Sequence, residues 1–284
     1  MPRPYNRHHG TENYQVETNP TFRNADIKNS AKDLLAGRFH TAVMTFLFYA
    51  MLSLLFVRFS NALTQQVCVT LMQLSGLSAD SSVILLLSYL IPLIVSILQN
   101  MIQMGVCLFF LNIACHHNCN TFDLLYGYSN QFGKTFCLSG VLTTLSFVAL
   151  LPLNYFMDQF DNKLSIPMDT LVFLFAIQAV LLLIYFVLAL SLSQVYYIAL
   201  DHPELSVAQI LLESIKIMKG QKLRLFLLNL SFLPLLLLMI PTLGVGLFWI
   251  LPYLNMTQCL FFLHLMKADV AQSSYSSIKT DVTQ

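Results

Sequence analysis

Residues 115–119 read Cys-His-His-Asn-Cys, two thiols one helical turn apart with two imidazoles between them. Thiolate and imidazole together suit zinc or copper. The run lacks the paired ligand spacings of zinc folds, and it follows directly on a long apolar segment, where small polar residues are ordinary. We therefore expect no metal and no cofactor. His264, near the end of another apolar segment, reads as an interfacial residue rather than a catalyst. The chain has no phosphate-cradling glycine loop, no G-x-S-x-G elbow and no H-E-x-x-H helix. With no nucleophile–base pair visible, catalysis is not expected.

A second group of chemically able side chains lies inside the apolar segments. Gln99, Asn100, Gln103 and Asn112 fall within residues 83–114. Gln99 and Gln103 share a helix face, and Asn112 lies farther along. Asn154, Gln178, Gln194, Asn229, Asn255 and Gln258 are similarly placed in other segments. Two readings compete. The amides line a path for a solute or lipid headgroup, or they bond neighbouring helices, at roughly 0.6 kcal/mol each. The second is the simpler. No Asp or Glu lies inside these segments, whereas ion-coupled transporters commonly keep an acid at mid-membrane.

The elements that must carry these residues are six apolar stretches: 41–57, 83–114, 136–156, 171–200, 223–240 and 247–266. The chain of 284 residues is 56% hydrophobic and only 10% charged. A soluble domain carries about 25% charged residues. A charge at mid-membrane costs several kcal/mol, so hydrocarbon solvent explains the deficit. A span takes about 20 residues. The second and fourth stretches would reach roughly 45–48 Å as helices, beyond a hydrocarbon core of about 30 Å, so each is expected to project two or three turns on the inner side.

The basic residues sort by side. Arg3, Arg7, Arg23, Lys28, Lys32 and Arg38 precede the first stretch, and Lys134 lies between the second and third. Lys216, Lys219, Lys222 and Arg224 lie between the fourth and fifth, with Lys267 and Lys279 after the sixth. Only Arg58 and Lys163 fall on the other side, beside Asp80, Asp158, Asp161 and Asp169. The positive-inside rule places both termini in the cytoplasm and the protein in the plasma membrane. Trp249, Tyr155 and Phe156 then fall near the outer interface. A net charge of +1 gives no pull toward nucleic acid. The six cysteines do not form a secreted-type disulfide framework. No cleavable signal peptide is visible. Residues 1–26 and 269–284 read as disordered cytoplasmic tails around a membrane domain at 27–268.

Three segments share a plan: SAKDLLAGRFHTAVMTFLF, DLLYGYSNQFGKTFCLSGVLTTLSF and ILLESIKIMKGQKLRLFLLNLSF. Each is a short amphipathic stretch, then a glycine (Gly37, Gly133, Gly220), then a span. The expectation is a helix on the inner leaflet, ended by a glycine of positive φ. Ser206 with Gln209 makes a capping box for the third. Val207, Ile210, Leu211, Ile215 and Met218 form its apolar face; Gln209, Glu213 and Lys216 form the other. The fold expected is therefore all-α: six transmembrane helices as three hairpins, each led by an inner-surface helix.

The run at residues 206–262 carries a specific pattern. Ser214, Met218, Lys219 and Gly220 spell S-x-x-x-M-K-G; Leu228, Leu230, Ser231 and Phe232 spell L-x-L-S-F. Thr242, Gly244 and Gly246 spell T-x-G-x-G, and Trp249, Pro252 and Tyr253 spell W-x-x-P-Y. This resembles the bacterial multi-pass membrane family catalogued as domain of unknown function 975. The opening IKNSAKDLLAG, closed by Gly37, also looks like that family's first helix. Where the family usually has Gly-Trp after L-S-F, this chain has Pro234-Leu235, so packing is expected to differ there. The family has no assigned activity. The resemblance implies location and fold, and no reaction.

The function expected is a non-enzymatic membrane component that contacts lipid or a partner membrane protein, with a homo-oligomer as one form of the latter. Lys216, Lys219, Lys222 and Arg224 are the residues expected to meet anionic lipid, at about 1 kcal/mol each. The alternative is a transporter or export subunit for a small solute, peptide or lipid, using the polar stripe of the second span.

Overall fold

The computed structural model describes residues 23–76, 81–161, 168–237, 239–242 and 244–282, with side chains from 155 to 161, at 168 and beyond 267 left aside. The N-terminal tail expected at 1–26 lies almost wholly outside them. Among the described residues there are helices and no strands. In order they are α1 (Asn24–Ala36), α2 (Phe39–Ser75), α3 (Ser82–Ala114), a 3₁₀ turn (Thr121–Leu125), α4 (Tyr126–Ser129) and α5 (Phe132–Asp161). Then come α6 (Met168–Ser191), α7 (Val195–Asp201), α8 (Val207–Ile217), α9 (Lys222–Leu230), α10 (Leu233–Leu237) and α11 (Leu247–Val282).

Five stretches are long and apolar enough to cross a membrane, and six if a bent pair counts as one span. The doubtful one is the fifth. Its helix breaks between α9 and α10, because Pro234 has no N–H to give the Leu230 carbonyl. Together α9 and α10 span only about 24 Å, and they turn from α8 by 78°. The first span also differs from expectation. It was placed at 41–57, yet α2 continues past the exposed Arg58 to Ser75. Nothing in residues 58–75 breaks a helix; Gly76, at φ 65°, is the first residue that does. At the other terminus, α11 runs helically to Val282 through the stretch expected as a tail.

Packing is uneven along the bundle. α2 packs on α3, α3 on α5, and α5 on α6; α11 packs on α1, α2 and α3. The core gathers at one end. In α3 it runs from Met101 to Cys115, in α7 from Val195 to Leu200, and in α11 it includes Met256, Cys259 and Phe262. Arg38 donates to the His117 carbonyl oxygen there at 2.6 Å. Toward the other end the same helices are bare: Val83, Leu86 and Ile94 on α3, and Val172, Phe173 and Leu183 on α6, are all exposed. Only 6% of the most apolar eighteen residues of the Asp169–Asp201 stretch are buried within the protein. A helix apolar on every side and enclosed by nothing needs an apolar solvent.

Interior prolines are accommodated locally. Pro152 lies inside α5, and Gln178 of α6 bonds the backbone beside it. Its Oε1 accepts from the Leu153 amide at 3.1 Å, and its Nε2 donates to the Ala149 carbonyl at 3.0 Å. Those two backbone groups would otherwise bond each other. The side chain thus joins the two helices beside Pro152.

Candidate functional site

Two sets of residues at the basic end hold the chemistry. The first centres on α8. Ser206 caps it as expected: the Ser206 amide donates to Gln209 Oε1 at 2.9 Å and the Gln209 amide to Ser206 Oγ at 3.4 Å. Ile210, Ser214 and Met218 face inward and are fully buried. Ser214 donates to the Ser191 carbonyl at 2.8 Å, where the fourth apolar stretch breaks between α6 and α7. The outward stripe consists of Leu212, Ile215, Lys216 and Lys219, all exposed. The apolar face expected to meet lipid is divided: Ile210 and Met218 are buried in the protein, with Ser214 between them, while Ile215 is exposed. Lys216 holds Glu213 at 3.3 Å. Gly220, at φ 81°, turns the chain into α9.

The three glycines expected to work alike do not. Gly37 sits at φ −83°, an ordinary right-handed conformation. Gly133 lies inside α5, and the positive φ of that segment belongs to Gln131. The stretch before Gly133 is a 3₁₀ turn and one turn of helix rather than a surface helix. Its glycine of consequence is Gly127, where a Cβ would come 2.6 Å from the Met101 carbonyl oxygen. Gly105 on α3 is its counterpart: a Cβ there would overlap the Leu124 backbone. The two glycines let the 121–129 segment lie directly on α3.

The second set joins α1 to the family motifs. α1 buries Ile27, Ala31 and Leu35 along one face. Lys28 stands over the Phe232 ring at 4.3 Å and donates to the Ser231 carbonyl at 3.0 Å. Phe232 meets Tyr253 edge-on with centroids 5.0 Å apart, and the Tyr253 hydroxyl donates to the Lys28 carbonyl at 3.2 Å. Burial holds the Lys28 ammonium below the usual lysine range. Arg224 and Asn24 exchange two bonds, each 3.4 Å. Arg224, expected at the lipid headgroups, is thus half-buried against α1. The L-S-F and P-Y residues build a seat for the N-terminal helix.

That seat, and the turn that follows it, lie within a stretch shared with a known family. The family described as "Protein of unknown function (DUF975)" matches residues 22–269. The chain belongs to this family. No curated protein and no solved structure gives a significant match. Other residues of the motifs lie at the turn into α11 and in its first two turns. Thr242 Oγ1 accepts from the Gly246 amide at 3.2 Å, and Gly244 takes φ 87°, closing the turn into α11. Trp249 is exposed, and Pro252 is buried within the second turn of α11.

The polar stripe is not continuous in this DUF975 chain. Asn100 donates to Thr143 Oγ1 at 2.8 Å, across to α5. Asn112 is buried and donates to Asp123 Oδ2 at 3.2 Å. Gln99 and Gln103 are half-buried beside them. Tyr196 links Ser139 Oγ at 3.1 Å and the Asn100 carbonyl at 3.4 Å. Tyr128 donates to the Leu98 carbonyl, and burial pushes its phenol up to about 12. In the Cys-His-His-Asn-Cys run, Cys115 is buried, while the Cys119 sulfur lies 3.9 Å from Arg38 Nη1. Among the described residues no three His, Cys, Asp or Glu side chains converge.

Proposed function

We propose that this protein is a multi-pass membrane component whose basic face engages anionic lipid, with no reaction of its own. The observation that carries the reading is the outward stripe of α8. Leu212 and Ile215 are exposed beside Lys216 and Lys219, with Lys222 following the Gly220 turn. Apolar side chains that enter the acyl boundary, flanked by ammonium groups at headgroup level, are the features of a helix lying on an anionic leaflet. Six spans with both termini in the cytoplasm, arranged as hairpins in the plasma membrane, are supported by the charge distribution, with α9 and α10 as a short fifth span distinct from the surface helix α8. Inner-surface helices lead the first and third hairpins. The enclosed basic-end halves of α3 and of the α6–α7 stretch support their projection inward.

The test is lipid retention. Purified protein is exchanged into detergent and the co-purified phosphatidylglycerol measured by native mass spectrometry. Lys216→Gln, Lys219→Gln and Lys222→Gln together should lower retention at least tenfold, since each ammonium supplies about 1 kcal/mol. Equal retention refutes the anionic-lipid reading. A reporter phosphatase fused after residue 268 should be inactive, as its substrate side would be cytoplasmic. The transport alternative draws less support, because Asn100 and Asn112 already bond neighbouring segments.

A further inference from the structure

The Asp123 carboxylate presents a charge the chain does not balance. It is only 6% exposed. Its Oδ2 accepts from Asn112 Nδ2 at 3.2 Å and from the Asn120 amide at 3.1 Å. Among the described residues, no bond reaches its Oδ1, and no Lys, Arg or His side chain lies within ion-pair distance. Arg38 is directed instead to the His117 carbonyl and the Cys119 sulfur. Asp123 closes the capping box of the 3₁₀ turn with Asn120 through Oδ2, while Oδ1 is not enclosed by the protein and is open to a cation arriving from outside.

Asp123 lines an open cavity of about 480 Å³ at the basic end. Asn118, Asn120, Ser129 and the Tyr126 ring share its wall, and Phe122 and Leu125, both exposed, stand at its apolar edge. We propose that this cavity binds a primary ammonium group, with Asp123 as its counter-ion. Asn and Ser oxygens accept the ammonium's remaining protons, and aromatic faces attract its charge. A hard divalent cation is a poorer fit, since such ions gather several carboxylates and this wall supplies one. The ammonium's source is either a soluble amine or the ethanolamine headgroup of a membrane lipid, whose chains would meet Phe122 and Leu125.

The proposal is separate from the α8 stripe and is tested separately. Purified full-length protein in detergent is titrated calorimetrically with ethanolamine, short-chain phosphatidylethanolamine, ethylene glycol and short-chain phosphatidylglycerol. Saturable binding is expected for at least one amine, and at least tenfold weaker binding for the two amine-free compounds. Ethanolamine binding as well as the lipid identifies a soluble amine; binding of the lipid alone identifies the headgroup. Asp123→Asn should weaken the amine at least tenfold, and Phe122→Ala, an exposed position, should weaken the lipid severalfold. No amine binding to the wild type, or equal binding of ethylene glycol and ethanolamine, overturns the proposal whether or not Asp123→Asn folds.

Discussion

At the scale of single residues, the smallest side chains decide most. Gly105 and Gly127 admit backbone against backbone, so a methyl group at either must displace a main chain rather than a flexible side chain. Overpacking of that kind costs about 1–3 kcal/mol. Gly105→Ala should therefore lower the thermal midpoint of the detergent-solubilised protein by several degrees, read by size-exclusion after heating. Gly133 has open space around it inside α5, and Gly133→Ala should hold or raise the midpoint, since helix propensity favours alanine by about 1 kcal/mol. The sequence does not reveal this difference. It even draws attention to the wrong one, because Gly133 lies beside Lys134 in a repeated-looking phrase, while Gly105 sits unremarked in an apolar run. Gln178 shows the same limit. Its presence in a span suggests an interhelical bond; that it meets the Leu153 amide and the Ala149 carbonyl beside Pro152 follows only from the register of α5 against α6. Gln178→Leu should cost roughly 1–3 kcal/mol by leaving the Leu153 amide and Ala149 carbonyl buried without that partner, measured by the same melting assay.

At the scale of elements, local signals were legible where chain chemistry alone fixes the outcome. The Ser206–Gln209 cap and the Gly220 turn were both readable, because each needs only residues within four positions. The length of α2 was not, since hydropathy falls at Arg58 while helical structure continues, and a lone exposed cation does not stop a helix. The break in the fifth span lay in view at Pro234, where the chain departs from the family pattern. The seat of α1 was hidden for another reason: it joins residues about 200 positions apart. Lys28, Phe232 and Tyr253 hold an element that otherwise offers just one buried stripe, Ile27, Ala31 and Leu35. Phe232→Ala removes both the ring beneath Lys28 and the edge contact to Tyr253. It should loosen α1 and speed limited proteolysis between residues 23 and 38 severalfold. Tyr253→Phe, which removes one hydroxyl, should do so far less.

At the scale of the whole molecule, two gradients run together. Basic residues and the packed core collect at one end; bare apolar side chains collect toward the other. The charge gradient is legible in the sequence because it depends on counting alone. The packing gradient is not, as Met101 to Cys115 and Val83 to Ile94 look equally apolar in α3 yet only the former is enclosed. The two gradients together make a checkable statement about depth. Trp249 is the chain's single tryptophan, it is exposed, and it lies at the start of α11, eighteen residues before Lys267. At 1.5 Å per residue that is about 27 Å, close to the thickness of a hydrocarbon core. If Lys267 lies at the cytoplasmic headgroups, the indole must lie near the outer ones, where such rings gather. In liposomes, lipids brominated near the headgroup should therefore quench its fluorescence more than lipids brominated near the chain ends. Iodide added outside right-side-out vesicles should quench it further, and iodide sealed inside should not. Stronger quenching by the deep bromines, or by internal iodide, would place the indole mid-bilayer or invert the threading, and the cytoplasmic assignment of the α8 lysines would fail with it.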